Sequence, residues 1–209
     1  MEIENKNESV QMDGYEQGLA EDEEWKDLTN PNKLWEDDPL FKNYHAISTK
    51  QKGVCGEYYV SGFMNHKGCD MNGEPESSDH DVIIDGYKTE VKFSLAHTKK
   101  QKGDKKIGYD CFIINHVATK KDFDRLLFMG INPLESCEQV NYKNSLALPR
   151  SRRRLFWFAK KDFVKYMNSG KNNVFNHQQT GKKGKNDDYM VTNIKAFANL
   201  DFVKGYDEW

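Results

Sequence analysis

Two strand-forming runs separated by a turn dipeptide stand out in residues 81–94, DVIIDGYKTEVKFS. Val82, Ile83 and Ile84 form a β-branched run, Asp85-Gly86 is the dipeptide favoured in a two-residue type I′ turn, and residues 87–93 resume with strand-forming residues, so the stretch predicts a hairpin. A two-residue turn sets Ile84 opposite Tyr87, Val82 opposite Thr89 and Asp81 opposite Glu90. Lys92 then shares a face with Glu90, while Val91, Phe93 and Leu95 point to the other. Upstream, Val54, Tyr58 and Met64 recur at roughly helical intervals and predict a helix beginning near Lys52, capped by Ser48 or Thr49 and ended by Gly68. Downstream, residues 125–131, RLLFMGI, are short, apolar and closed by Asn132-Pro133, which suits a buried strand beside the hairpin. Residues 155–159 supply another strand, and residues 160–168 a short amphipathic helix with Phe163, Val164 and Met167 inward and Gly170 as its stop. Residues 110–121 are ambiguous: Phe112, Ile113, Ile114 and Val117 fit a buried strand or a helix equally well. Residues 69–78, with Gly73, Pro75 and two serines, read as a loop with at most one short strand.

The placement of the charges changes what the hairpin means. Two carboxylates opposed on neighbouring strands destabilise a sheet by something on the order of the ~0.2–1 kcal/mol that cross-strand pairs contribute, so Asp81 and Glu90 call for a compensating cation. Converging carboxylates suit a hard, oxygen-seeking ion such as magnesium. Lys92 beside them is a point charge able to hold an attacking water or offset charge on a phosphate. The bland alternative is a solvated face on which the acids and the lysine pair with one another.

At these residues the chain resembles the PD-(D/E)xK nuclease superfamily, whose signature is an acid at the start of one strand and acid-x-lysine on the next. Asp81 corresponds to the first acid and Glu90-Val91-Lys92 to the second half; His80 stands where many members have proline, and Asp79, which the same register sets opposite Lys92, is the alternative first acid. The segment KGVCGEYYVSGFMNHKG from Lys52 is similar to the first helix of that core, with its Lys-Gly step, and Glu57 falls at the glutamate that joins the metal site through water. The match covers residues 50–95, with a looser continuation to about residue 132. It implies an α/β fold with a restriction-endonuclease-like core, a mixed central sheet flanked by helices, and a helix over residues 110–121 with a polar residue near Asn115-His116; His116 itself is expected to be structural. The implied activity is Mg2+-dependent cleavage of double-stranded DNA, with Mn2+ as a substitute ion, as in a small type II restriction endonuclease. Asp81 and Glu90 are the implied metal ligands, with Lys92 and Glu57 completing the catalytic set. A homodimer would place two such sites on a symmetric target. A junction resolvase or repair nuclease shares the same core. From a different class, a non-catalytic DNA-binding module or an acidic-arm DNA mimic competes with these readings.

Overall charge supports an anionic partner once it is divided along the chain. The net charge of −2 combines residues 1–38, with thirteen acids against three lysines (−10), and the remainder, with twenty-eight bases against twenty acids (+8). Residues 1–44 therefore read as an acidic N-terminal arm, partly pinned by Trp25 and Trp35 and able to lie over a basic surface, and residues 45–209 as the nuclease domain. Residues 97–106 hold five lysines, residues 150–154 four arginines, and residues 177–185 read HQQTGKKGK. Lys99, Lys100, Lys102, Arg150, Arg152, Arg153, Lys182, Lys183 and Lys185 are the expected phosphate contacts, and Gln178 and Gln179 the candidates for reading an adenine edge.

The remaining composition is mostly exclusionary. With 209 residues, 37% hydrophobic and 31% charged, the chain has room for one sizeable core under a very polar surface. No apolar run approaches the ~20 residues of a membrane span, and the Glu- and Asn-rich start is unlike a signal peptide, which predicts a soluble, intracellular protein without membrane contact. Cys55, Cys69, Cys111 and Cys137 form no CxxC pair, and His66 with Cys69 cannot alone complete four ligands, so reduced thiols are expected rather than a zinc site.

Overall fold

The computed structural model describes Trp35 and residues 38–71, 80–100, 105–107, 110–133, 152–178 and 187–209. The chain divides into two compact units, Met1–Ile47 and Ser48–Trp209. In the first, Asp38 Oδ1 accepts from the Leu40 and Phe41 backbone N–H groups at 2.9 and 3.2 Å, and the rings of Trp35, Phe41 and Tyr44 meet edge to face in sequence.

The second unit opens with helix α1, Thr49–His66, which starts where the capping residues foretold. Ser48 is the N-cap, and its reciprocal bonds with Gln51 form a capping box. The face that α1 buries differs from expectation. Val54 and Tyr58 are 41% and 76% exposed, and the inward stripe is instead Gly56, Val60 and Met64, spaced four apart. Gly56 accounts for the difference. A Cβ there would lie 2.5 Å from Phe93 Cβ, so the helix backbone rests directly on the Phe93 side chain. Tyr59 packs beside the same ring at 5.7 Å.

A mixed five-stranded sheet forms the centre. It comprises β1 (Val82–Ile84), β2 (Tyr87–Leu95), β6 (Arg125–Ile131), β7 (Arg153–Ala159) and β10 (Lys204–Gly205), in the spatial order β1-β2-β6-β7-β10. The β2/β6 pair is parallel and the others are antiparallel. The predicted hairpin register is present, Val82 facing Thr89 and Ile84 facing Tyr87, and Asp85 and Gly86 both have positive φ (50° and 76°), as a type I′ turn requires. The expected strand over residues 125–131 lies beside the hairpin. Both of its faces are covered, which explains the near-continuous apolar run. Phe128 contacts Phe112 and Phe156 on one face, and Leu127 and Met129 are fully buried as well. Helix α2, Lys160–Asn168, follows β7; Phe163 is its buried residue, and Val164 and Met167, expected inside, are half-buried. Phe163 joins Phe158, Phe175 and the Phe197 of helix α3, Ile194–Ala198, in an aromatic cluster.

One segment departs from the sequence reading. The helix expected over residues 110–121 is absent; β5, Ile114–Val117, is a strand in a second sheet, paired with β9 (Tyr189–Val191), which also pairs with β8 (Asn176–His177). Its register slips between Ile114 and Val117, where His116 takes a left-handed φ of 56°. This bulge puts Ile114 and Val117, three apart, both inside, a spacing that mimics a helix. The lysine-rich stretch contributes a two-stranded ribbon, with β3 (Thr98–Lys100) pairing β4 (Lys105–Ile107).

The C-terminus closes onto the hairpin turn. Trp209 Nε1 donates to Asp85 Oδ2 at 2.7 Å, and the Arg125 guanidinium lies over the rings of Tyr87, Trp157 and Trp209 at 3.5, 4.7 and 4.7 Å.

Candidate active site

The hairpin brings Asp81, Glu90 and Lys92 together. Asp81 precedes β1; its N–H donates to Thr89 O at 3.1 Å, and its Oδ2 accepts from Val91 N at 2.7 Å, so the carboxylate takes a ladder bond of β2 in place of a further β1 residue. Glu90, in β2, is 1% exposed, and its Oε1 accepts from Lys92 Nζ at 2.5 Å. These two share a face, as alternation requires, while Phe93 on the opposite face seats α1. Burial of Glu90 argues against an ordinary solvated hairpin face, because an ionised carboxylate is rarely taken from water without partners.

Glu57, on α1, lies within electrostatic reach of these groups. Burial, followed by the charge of Asp81, holds its carboxyl above the usual glutamate range; Glu90 adds to that effect, while Lys92 and Lys121 oppose it. Asp81 behaves alike: burial and then Glu90 push its carboxyl up, against the Val91 hydrogen bond and the charges of Lys92 and Lys121. Asp81 and Glu57 thus both resist ionising near Glu90, a condition that a cation would relieve.

The fit to a divalent ion turns on one atom. Glu90 Oε2 is buried and meets no hydrogen-bond donor among the described residues. A buried lone carboxylate oxygen costs free energy, and the cost disappears if a hard cation takes it. Among the described residues no three His, Cys, Asp or Glu side chains stand close enough to cage an ion by themselves. Magnesium, which keeps several waters and typically takes only one or two carboxylates plus substrate phosphate, does not need such a cage. Asp81 and Glu90 would be the residues that hold it.

Lys121 is a further member that the sequence reading passed over. Its Nζ donates to Glu90 Oε1 at 2.8 Å, so a single carboxylate oxygen takes two ammonium groups. The loop carrying it is braced on both sides. Asp187 accepts from Thr119 Oγ1 at 2.6 Å and from Lys120 N at 2.7 Å; Lys88 Nζ pairs with Asp122 at 2.7 Å, and Lys88 N donates to Asp124 Oδ2 at 2.9 Å; Lys160 Nζ donates to Lys121 O. Lys120-Lys121 was visible as a basic pair, but nothing in a single sequence places residue 121 against residue 90.

The expected DNA contacts have varied placements. Lys99 and Lys100 lie on β3. Arg153 donates to Tyr59 Oη through Nε and Nη2 at 3.0 and 2.7 Å and lies over the Tyr59 and Phe63 rings, tying β7 to α1. Arg154 is buried in an ion pair with Asp110 at 2.9 Å. Arg152 lies just before β7, half-buried, its carbonyl accepting from Asn132 N. Gln178 serves the bulge: its Oε1 accepts from His116 N at 3.2 Å, and the His116 ring Nδ1 lies 3.0 Å from Asp188 Oδ2. Asp79, Lys102, Arg150, Gln179, Lys182, Lys183 and Lys185 lie outside the described residues.

Among the described residues no helix is long and apolar enough to cross a membrane. No protein-family model, no curated protein and no solved structure matches this chain.

Proposed function

We propose that this protein is a magnesium-dependent endonuclease of the PD-(D/E)xK type that hydrolyses phosphodiester bonds of double-stranded DNA, most like a small type II restriction enzyme. The observation that carries the reading is Glu90: a buried carboxylate with one oxygen on Lys92 and the other without a donor among the described residues, beside an Asp81 whose ionisation it resists. Acid and acid-x-lysine are joined in the hairpin with the helix glutamate in electrostatic reach, which supports the motif resemblance.

Asp81 and Glu90 hold the divalent ion, which when bound offsets the charge that develops on the scissile phosphate and leaving oxygen. Lys92 presents a fixed ammonium beside them, suited to holding the attacking water and steadying a phosphate oxygen. Glu57, its carboxyl raised by burial and by Asp81, orients water at the rim of the site. The basic body of the chain, +8 outside residues 1–38, supplies the attraction to the duplex.

The test is to incubate the full chain with long linear duplex and with branched DNA, in magnesium, manganese, calcium or chelator. Cleavage in magnesium and manganese is expected, with binding but little hydrolysis in calcium. Asp81→Ala, Glu90→Ala and Lys92→Ala should each abolish cutting while leaving DNA binding in place, and Glu57→Ala should be milder. Full activity in chelator, or a Lys92→Ala protein that cuts at the parental rate, would overturn the assignment. Cutting confined to branched DNA would assign the same site to a structure-selective nuclease.

A further inference from the structure

Glu90 Oε1 receives two ammonium groups, and the two lysines are not equivalent. Lys92 is on the same strand, two residues along, 18% exposed and 2.5 Å away; Lys121 arrives from a loop, 34% exposed, at 2.8 Å. The loop carrying Lys121 is anchored by Asp187 to Thr119 and Lys120, by Lys88 to the Asp122 and Asp124 side chains, and by Lys160 at the Lys121 carbonyl. Only the side chain is left to move, and it alone of the two lysines opens substantially toward solvent.

Charge explains why both lysines are needed in the ion-free site. Asp81, Glu90 and Glu57 set three carboxyl groups within mutual influence, and Lys92 and Lys121 set two ammonium groups against them, both on Glu90 Oε1. A divalent ion on the acid pair adds two positive charges and makes one ammonium surplus. The lysine with the longer separation and the open side is the one that can leave, and an anionic phosphate arriving with the substrate is the group that would take it.

We propose that Lys121 is a stand-in cation: it neutralises Glu90 while the acid pair is empty, gives way when a divalent ion binds, and then turns its ammonium to a phosphate of the DNA. This rests on the reading of Asp81 and Glu90 as the ion-binding pair. Lys121 thereby couples ion binding to substrate binding, since the ion frees the group that holds the phosphate.

Manganese binding to the DNA-free full chain, followed by electron paramagnetic resonance of the free ion, tests the first half. Lys121→Met, and Lys121→Gln as a second neutral variant, should bind manganese about five- to tenfold more tightly than the parent, the low end of usual coupling between two ligands, whereas Lys121→Arg should stay near the parent. Melting curves with and without manganese report that each variant is folded, and the ion should raise the melting temperature most in the neutral variants. In calcium, the neutral variants should bind duplex more weakly, and the slope of log K against log salt should be shallower by about 0.9, the share of a single phosphate. Equal manganese affinity in parent and neutral variants, with weaker binding in Asp81→Asn, would leave the acid pair standing and overturn the stand-in role. Unchanged manganese binding in Asp81→Asn would overturn the acid pair and the stand-in role together.

Discussion

Gly56→Ala offers a measure of how tightly α1 is set against the sheet, and therefore of how Glu57 is held. The added methyl would lie 2.5 Å from Phe93 Cβ and 2.9 Å from Cγ, against the ~3.5–4.0 Å of a relaxed carbon contact, so helix and strand must separate by about 1 Å or Phe93 must leave its place. Phe93 Cβ is fixed to the β2 backbone, which pairs with β1 and β6, so a rotamer change cannot relieve the closest approach. Overpacking of this kind costs about 1–3 kcal/mol, while Ala in place of Gly in a helix returns ~0.8–1.0 kcal/mol. The net expectation is a destabilisation of roughly 0–2 kcal/mol. Gly62, on the same helix with no atom within 4 Å of an added Cβ, gives the control: Gly62→Ala should stabilise by ~0.8–1.0 kcal/mol. Urea unfolding of the two variants beside the parent should place them on opposite sides of it, or Gly56→Ala at the parent and Gly62→Ala above. Because Glu57 is the next residue, Gly56→Ala should also slow DNA cleavage, whereas Gly62→Ala should not. Equal stabilisation by the two substitutions would refute the close approach of α1 to Phe93.

Further expectations concern the fold's buried and hydrogen-bonded charges. Arg154→Met should destabilise the fold by about 3 kcal/mol, measured by urea unfolding, because it takes the paired cation from a buried Asp110 carboxylate that is 5% exposed and keeps the Asn132 Nδ2 hydrogen bond at 2.7 Å; Asp110→Asn combined with Arg154→Met should recover much of that stability. Asp187 and Asp81 should give acid dependences of opposite sign. Burial opposes ionisation of Asp187, but the Thr119 and Lys120 hydrogen bonds outweigh it and hold its carboxyl below 3.8, so the stability it contributes is present above that value and is lost as pH falls through the lowered one. Asp81, raised by burial and Glu90, does the reverse: in ion-free buffer its protonation stabilises the fold, which gains stability as pH falls through the raised value toward 3.8. Unfolding measured from pH 7 to pH 3 should show both contributions, the first removed by Asp187→Asn and the second by Asp81→Asn; an unchanged profile in either variant would refute the corresponding cause.

What the sequence determined by itself is whatever local chemistry decides. Asp85-Gly86 can take two successive positive φ values cheaply, so the turn, its register and hence the common face of Glu90 and Lys92 followed from period-two alternation. Ser48 and Gln51 set the start of α1 through bonds three residues apart, and the apolar run at 125–131 announced a strand covered on both faces. Tertiary structure decided the rest. The inward face of α1 depends on a glycine whose value lies in what it lets approach, so Gly56 displaced Val54 and Tyr58 from the buried stripe once Phe93 lay beneath it. Residues 114–117 became a bulged strand because β9, more than seventy residues away, supplies the pairing, and the bulge counterfeits helical spacing. Lys121 meets Glu90 only because Asp187, Lys88 and Lys160 hold its loop from three other elements. The acid pair is written in neighbouring residues; its second counter-charge comes from a loop thirty-one positions away, and only the packed fold brings it there.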